Sequence, residues 1–159
     1  MSEGNNIALT AIATLCGGIV LFVITRIVES LFITPLIKLR EQIGVINDRL
    51  IYYADRIANP AVISFSELGS DFAQQLEMIR LDIRSGATQL RSKAHAVPGL
   101  KYWHMVRLAP SPAQIKDASK EIIGLSNSLS TSSRSGDDVV NQTQARIKKI
   151  ERSLNIEIN

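Results

Sequence analysis

The chain divides into one unbroken apolar stretch and a longer part in which apolar residues recur at helical spacing. No charged residue occurs from Gly4 to Thr25, and from Ile7 onward the stretch is almost wholly apolar. As a helix, Ile7 to Thr25 would run roughly 28 Å, close to the ~30 Å hydrocarbon core of a bilayer. A cleaved leader would want a basic start, a shorter apolar run and small residues at its end. Here no Lys or Arg precedes the run, and Ile24-Thr25-Arg26-Ile27-Val28 continues it in β-branched residues and a charge. The pattern predicts a retained transmembrane helix. Arg26, Lys38 and Arg40 follow the span, and only Glu3 and the amino terminus precede it, which predicts a cytoplasmic C-terminal part at the inner (cytoplasmic) membrane. Arg26 and Glu29, three apart, suit one helix face at the boundary. Thr34-Pro35 reads as a helix restart, with Thr34 as N-cap and Pro35 in the first turn.

Beyond Thr34, four segments carry apolar residues at alternating spacings of three and four. Leu36, Leu39, Ile43, Ile46, Leu50, Tyr53 and Ile57 make a coiled-coil-like seam that demands a partner helix, and Asn59-Pro60 ends it. Ser64-x-x-Glu67 offers a capping box for a second helix, with Phe72, Leu76, Ile79, Ile83, Ala87 and Leu90 along one face. These two long segments predict an antiparallel hairpin. A short helix between Pro98 and Pro112 would close its end. Ser111-Pro112 then restarts the chain, with Ile115, Ala118, Ile122, Leu125 and Leu129 as a third seam. Ser126 to Gly136 is rich in Ser, Thr, Asn and Gly and reads as a flexible linker. Val140, Thr143, Ile147, Ile150 and Leu154 mark a last helix, acidic at its start and basic near its end as the helix dipole prefers.

With 45% hydrophobic but only 5% aromatic residues and few strand-like runs, the chain reads as all-α. The predicted organisation is a membrane anchor over 1–33, a cytoplasmic helical domain over 34–129, and a Ser-rich linker with a C-terminal helix over 130–159. Within the anchor, Ala13 and Gly17, with Gly18 on the adjoining stripe, let two backbones approach closely in lipid, a possible contact between copies. Cys16 lies in the same span and reads as a small apolar filler.

Three runs carry a resemblance: Gln42-Ile43-Gly44 through Leu50-Ile51-Tyr52-Tyr53-Ala54, Leu90-Arg91-Ser92-Lys93-Ala94, and Glu121-Ile122-Ile123-Gly124-Leu125-Ser126-Asn127-Ser128. With the anchor they resemble an uncharacterised family of small bacterial single-pass membrane proteins. That resemblance implies a bacterial membrane protein with a cytoplasmic helical domain, and it carries no catalytic residue.

No nucleophile elbow, phosphate-binding glycine loop, dinucleotide fingerprint or Cys-x-x-Cys pair occurs. His95 and His104 lack Cys, Asp or Glu at ligand spacing, so neither metal nor cofactor is expected, nor is an enzyme. Glu121 lies four residues after Asp117 with Lys120 between, which reads as a solvated face.

Residues 80–120 carry a local excess of six positive charges. Lys101, Tyr102, Trp103 and Arg107 lie within this stretch and could touch anionic headgroups, the bland alternative being a solvated basic face with aromatics that plug the hairpin end. Stacking on single-stranded nucleic acid is disfavoured by a net charge of only +3. The expected partners are therefore the lipid bilayer and a helical protein or second copy of this chain. The expected function is a membrane-anchored interaction or scaffold module, the alternative being a regulatory or sensory accessory subunit of a membrane complex.

Overall fold

The computed structural model describes residues 2–58, 70–129 and 136–156, and among these every regular element is helical. In chain order they are α1 (Ser2–Val28), a π-helical turn (Glu29–Ile33), α2 (Thr34–Tyr52), α3 (Ala54–Ala58), α4 (Ser70–His95), α5 (Leu100–Met105), α6 (Pro112–Ser128) and α7 (Gly136–Leu154). One helix among the described residues is long and apolar enough to cross a membrane, by length and composition. Its large apolar side chains, among them Ile7, Leu15, Phe22 and Ile27, are exposed.

The restart expected at Thr34 does not occur. Ile33 and Thr34 both hold right-handed helical angles, no side chain caps α2, and the helix runs on through the π turn. Pro35 has no N–H to give and its ring crowds the preceding turn. The wider π turn just before it, where the Thr34 N–H reaches the Glu29 carbonyl, absorbs this local misfit. The chain therefore passes from α1 into α2 without leaving helical geometry.

Below that turn the seams are buried as their spacing predicts. Leu39, Ile46 and Leu50 of α2, Ile83 and Leu90 of α4, and Ile122 and Leu125 of α6 share one core with Ile57 of α3. Ile46 lies against Gly86, and Arg49 bonds Asp82, so moving forward along α2 means moving backward along α4. In the same way Glu121 meets Lys149 and Arg146, and Gly124 meets Arg146, so α6 and α7 also run antiparallel. Packing links α2 to α4, α4 to α6 and α6 to α7, while α3 touches α7.

Other details differ from the sequence reading. The first seam is interrupted at Tyr53, which leaves helical geometry at φ −97°, ψ 10° before α3 begins. The linker expected from Ser126 does not begin there: Ser126 and Ser128 are the end of α6, their hydroxyls donating to the carbonyls of Ile123 and Leu125, and residues 130–135 lie outside the described residues. Ser126 is wholly buried, since a small side chain that satisfies its own hydroxyl suits a close contact. The last helix joins the core through Ile150 and Leu154. Asn59-Pro60 and the capping box at Ser64 lie outside the described residues. At Ser111 the expected cap is present and more complete than foreseen. Its hydroxyl accepts from the Gln114 N–H at 3.2 Å, while the Ser111 N–H donates to Gln114 Oε1 at 2.7 Å.

Candidate functional site

The chain between α4 and α6 turns twice in a few residues. Gly99 adopts φ +64°, a left-handed angle natural to glycine, and starts α5. At the other end Arg107 adopts φ 59°, and the two bonds of a Schellman cap form: Arg107 N–H to the His104 carbonyl and Leu108 N–H to the Trp103 carbonyl, each 2.9 Å. Val97, Leu100 and Ala109 bury this connection into the core. Four apolar side chains of this stretch face outward instead. Tyr102, Met105 and Val106 are 74%, 77% and 60% exposed, and Leu108 is exposed as well.

The four surface residues singled out in the sequence thus divide. Lys101, Tyr102 and Arg107 are exposed, whereas Trp103 packs partly on the core and donates its indole N–H to the Pro98 carbonyl at 3.2 Å. Aromatics plugging the domain's end describes Trp103 and does not describe Tyr102.

A cleft of about 630 Å³ opens beside this connection. It is lined by Arg40 and Ile43 of α2, by His104 and Arg107 through Pro110, by Gln114 of α6, and by Arg152 through Ile156 at the end of α7. Because Arg40 lies in the first half of α2, α5 and the turn after it occupy the end of the domain nearer α1. From Ile33, the last apolar residue of the exposed run, to Arg40 is roughly 10 Å of helix. His104 Nδ1 lies 3.3 Å from the Ala109 carbonyl, which can only accept, so Nδ1 carries the proton in that bond. His95, at the end of α4, is exposed and lines no part of the cleft.

Two further charged clusters sit between helices. Arg49 bonds the Asp82 carboxylate at 3.0 Å and the Asp82 carbonyl at 3.1 Å, and Tyr53 donates to the same carboxylate at 3.3 Å. Burial, reinforced by the Asp82 charge, pushes the Tyr53 phenol above its usual range. The second cluster corrects the sequence reading of Glu121 as solvated. Glu121 is buried between α6 and α7, accepting from Lys149 at 2.7 Å and from Arg146 at 3.0 Å. The hydrogen bond from Lys149, with the nearby charges of Lys149 and Arg146, holds its carboxyl below the ordinary glutamate range although burial opposes this. Spacing on α6 alone conceals the site, because its cations arrive from a helix more than twenty residues later. Both clusters join neighbouring helices, and so fasten α2 to α4 and α6 to α7.

At the end of the long apolar helix, Arg26 pairs with Glu29 at 2.8 Å, both side chains well exposed. A side chain added at Gly17 or Gly18 would meet nothing within 4 Å, so that stripe is open; Cys16 beside it is free and exposed. No family model, curated protein or solved structure matches the chain.

Proposed function

We propose that the chain is a single-pass protein of the inner (cytoplasmic) membrane, anchored by α1, whose remaining helices form a small cytoplasmic bundle that binds partner proteins and catalyses no reaction. The observation that carries this reading is the grouping of Tyr102, Met105, Val106 and Leu108 as exposed apolar side chains within one short stretch, flanked by Lys101 and Arg107. Apolar tips with basic residues beside them suit the headgroup layer, where each cation near an anionic surface contributes ~1 kcal/mol. The grouping lies at the end of the domain nearer α1, within reach of a bilayer that α1 enters. Two other surfaces remain for partners: Met78 and Leu81 on α4, and, within the lipid, the stripe of Ala13, Gly17 and Gly18 for a second copy.

One observation favours a second reading, a regulatory or sensory accessory subunit. The helix is continuous from Ser2 to Tyr52, so a tilt or rotation of α1 is delivered directly to α2. A flexible glycine–serine segment inserted after Ile33 separates the two roles: a scaffold keeps its partners, whereas a relay is uncoupled.

The membrane contact is tested with the full chain in nanodiscs whose lipids carry headgroup spin labels. Trp103 is the only tryptophan, so fluorescence reports on it alone. Quenching is expected, and replacing Lys101 and Arg107 with Glu should weaken it. Equal emission in labelled and unlabelled discs would remove the headgroup contact. A reporter fused after Asn159 should read cytoplasm, and periplasmic activity would reverse the orientation. A photo-crosslinker at Met78 should trap a defined adduct in native membranes, and monomer alone would count against the scaffold role.

A further inference from the structure

Seven of the chain's arginines divide into two groups. Arg26, Arg49, Arg80 and Arg146 each face a carboxylate. Arg40, Arg107 and Arg152 form no ion pair with any described residue, yet α2, the turn after α5 and the last turn of α7 bring all three to the same cleft. Among the described residues that line it there is neither a carboxylate nor a lysine. Its volume of about 630 Å³ falls within the ~300–1,000 Å³ of ordinary small-ligand sites. His104, Gln114 and Asn155 add neutral polar groups to the wall.

The composition of that wall specifies a ligand chemistry. Three arginines that line one cleft and form no ion pair with a described residue gain most from a multiply charged partner with several acceptor oxygens. A guanidinium offers paired, planar donors that match phosphate or carboxylate geometry, which an ammonium does not. Arg107 adds a second sign. Arg107 and Asn155 are the only non-glycine residues with positive φ among the described residues, and both line the cleft. Arginine in a left-handed position costs the fold stability that glycine would not, so its side chain is worth that cost where it stands.

We propose that this cleft binds a phosphate-bearing anion, its phosphoryl oxygens taken by Arg40, Arg107 and Arg152. The phosphoryl group belongs either to an anionic phospholipid or to a soluble phosphorylated molecule. The lipid source rests on the membrane reading above; the site itself does not.

The test uses the full chain in uncharged maltoside micelles at low ionic strength, titrated calorimetrically with pyrophosphate. Saturable one-to-one binding is expected. Arg40→Gln and Arg152→Gln should each weaken it about tenfold or more, the loss of one charge-assisted contact. Arg91→Gln, exposed on α4 and outside the cleft, should leave it unchanged. Circular dichroism melts confirm that each variant is folded, and either cleft variant alone suffices. A second titration with short-chain phosphatidylglycerol assigns the source. Binding with the same arginine dependence identifies a lipid headgroup, and binding of pyrophosphate alone identifies a soluble anion. No saturable heat with either probe, or affinity unchanged in the folded cleft variants, overturns the proposal. If the protein proves not to be membrane-bound, the pyrophosphate result still decides whether the site exists.

Discussion

The Arg146 guanidinium lies where a side chain at Gly124 would be: a Cβ built on Gly124 would stand 2.7 Å from Arg146 Cζ. Glycine in α6 therefore opens the path by which an arginine on α7 reaches Glu121, one turn earlier on the facing helix. Gly124→Ala sets two effects against each other. Helix propensity favours alanine by roughly 1 kcal/mol. Displacing Arg146 loses a charge-assisted hydrogen bond to a buried carboxylate, about 1.5–3 kcal/mol. The net expectation is a loss of about 1 kcal/mol, read from the denaturation midpoint. If the variant instead gains the full propensity increment, Arg146 contributes nothing through Glu121.

The same carboxylate sets an acid limit. Glu121 has a lowered pKa in the folded protein, from an ordinary value of 4.5. The unfolded chain therefore takes up the proton first as pH falls. The stability from this group is present above about pH 4.5 and is lost as pH drops through the lowered folded value. Lys149 acts in the opposite direction. Its raised pKa gives stability that is present below 10.5 and lost as pH rises through the folded value, and its exposure makes that part sensitive to salt. Melting curves recorded from pH 3 to pH 7 should show an acid loss that Glu121→Gln reduces. An unchanged acid limb in that variant would place the titrating group elsewhere.

Most of the helices could be read from periodicity because burial follows it: Leu39, Ile46, Ile122 and Ile150 sit inside where a three-and-four spacing puts them. The departures arise where the deciding partner is distant in sequence. Glu121 looks solvated beside Lys120 until α7 brings Arg146 and Lys149 across. The cleft draws Arg40, Arg107 and Arg152 from segments that no local window joins. The π turn is not legible in the sequence for a different reason: Thr-Pro is a sound local signal for a helix start, but a π turn lets proline follow an existing helix without a break. Ser111-x-x-Gln114, by contrast, is a capping box legible in the sequence, and Ser111-Pro112 alone marks the helix start.

Ile46 tests the packing of α2 on α4. It is 2% exposed and touches the Gly86 position. Ile46→Asp buries an unpaired charge, costing several kcal/mol, comparable with the whole stability of a small domain. Helicity beyond α1 should fall sharply and proteolysis of residues 34–156 should rise. A variant that resists both would mean that α2 and α4 do not share a core.

Removal of α7 tests whether the last helix is an appendage. Ile150 and Leu154 are buried against the rest, and Glu121 depends on α7 for both of its cations. A chain ending at Leu129 would expose the α6 face and strip Glu121 of both its cations. Loss of both apolar contacts alone amounts to about 3–6 kcal/mol, by the worth of a buried Leu or Ile side chain. The expected result is a markedly lower melting temperature or a molten domain. Unchanged cooperative melting would make 34–129 a self-sufficient unit.

Arg107 allows a prediction in the stabilising direction. Its backbone completes the cap of α5 at φ 59°, with both cap hydrogen bonds formed, in the position where helices most often place glycine. A Cβ in that conformation is strained, so Arg107→Gly relieves the backbone and should stabilise the fold by about 0.5–1 kcal/mol. For a domain of this size that raises the melting temperature by a few degrees, at roughly 4–8 °C per kcal/mol. Arg107→Gln keeps the strain and serves as the control, with no gain expected. Asn155, left-handed at the end of α7, is a residue type that tolerates the conformation, so Asn155→Gly should change less. The glycine variant at 107 should then be the more stable protein and the weaker ligand of pyrophosphate, a separation of fold from function at one residue. A destabilised Arg107→Gly protein would mean that the side chain holds α5 in place and is not kept for the cleft.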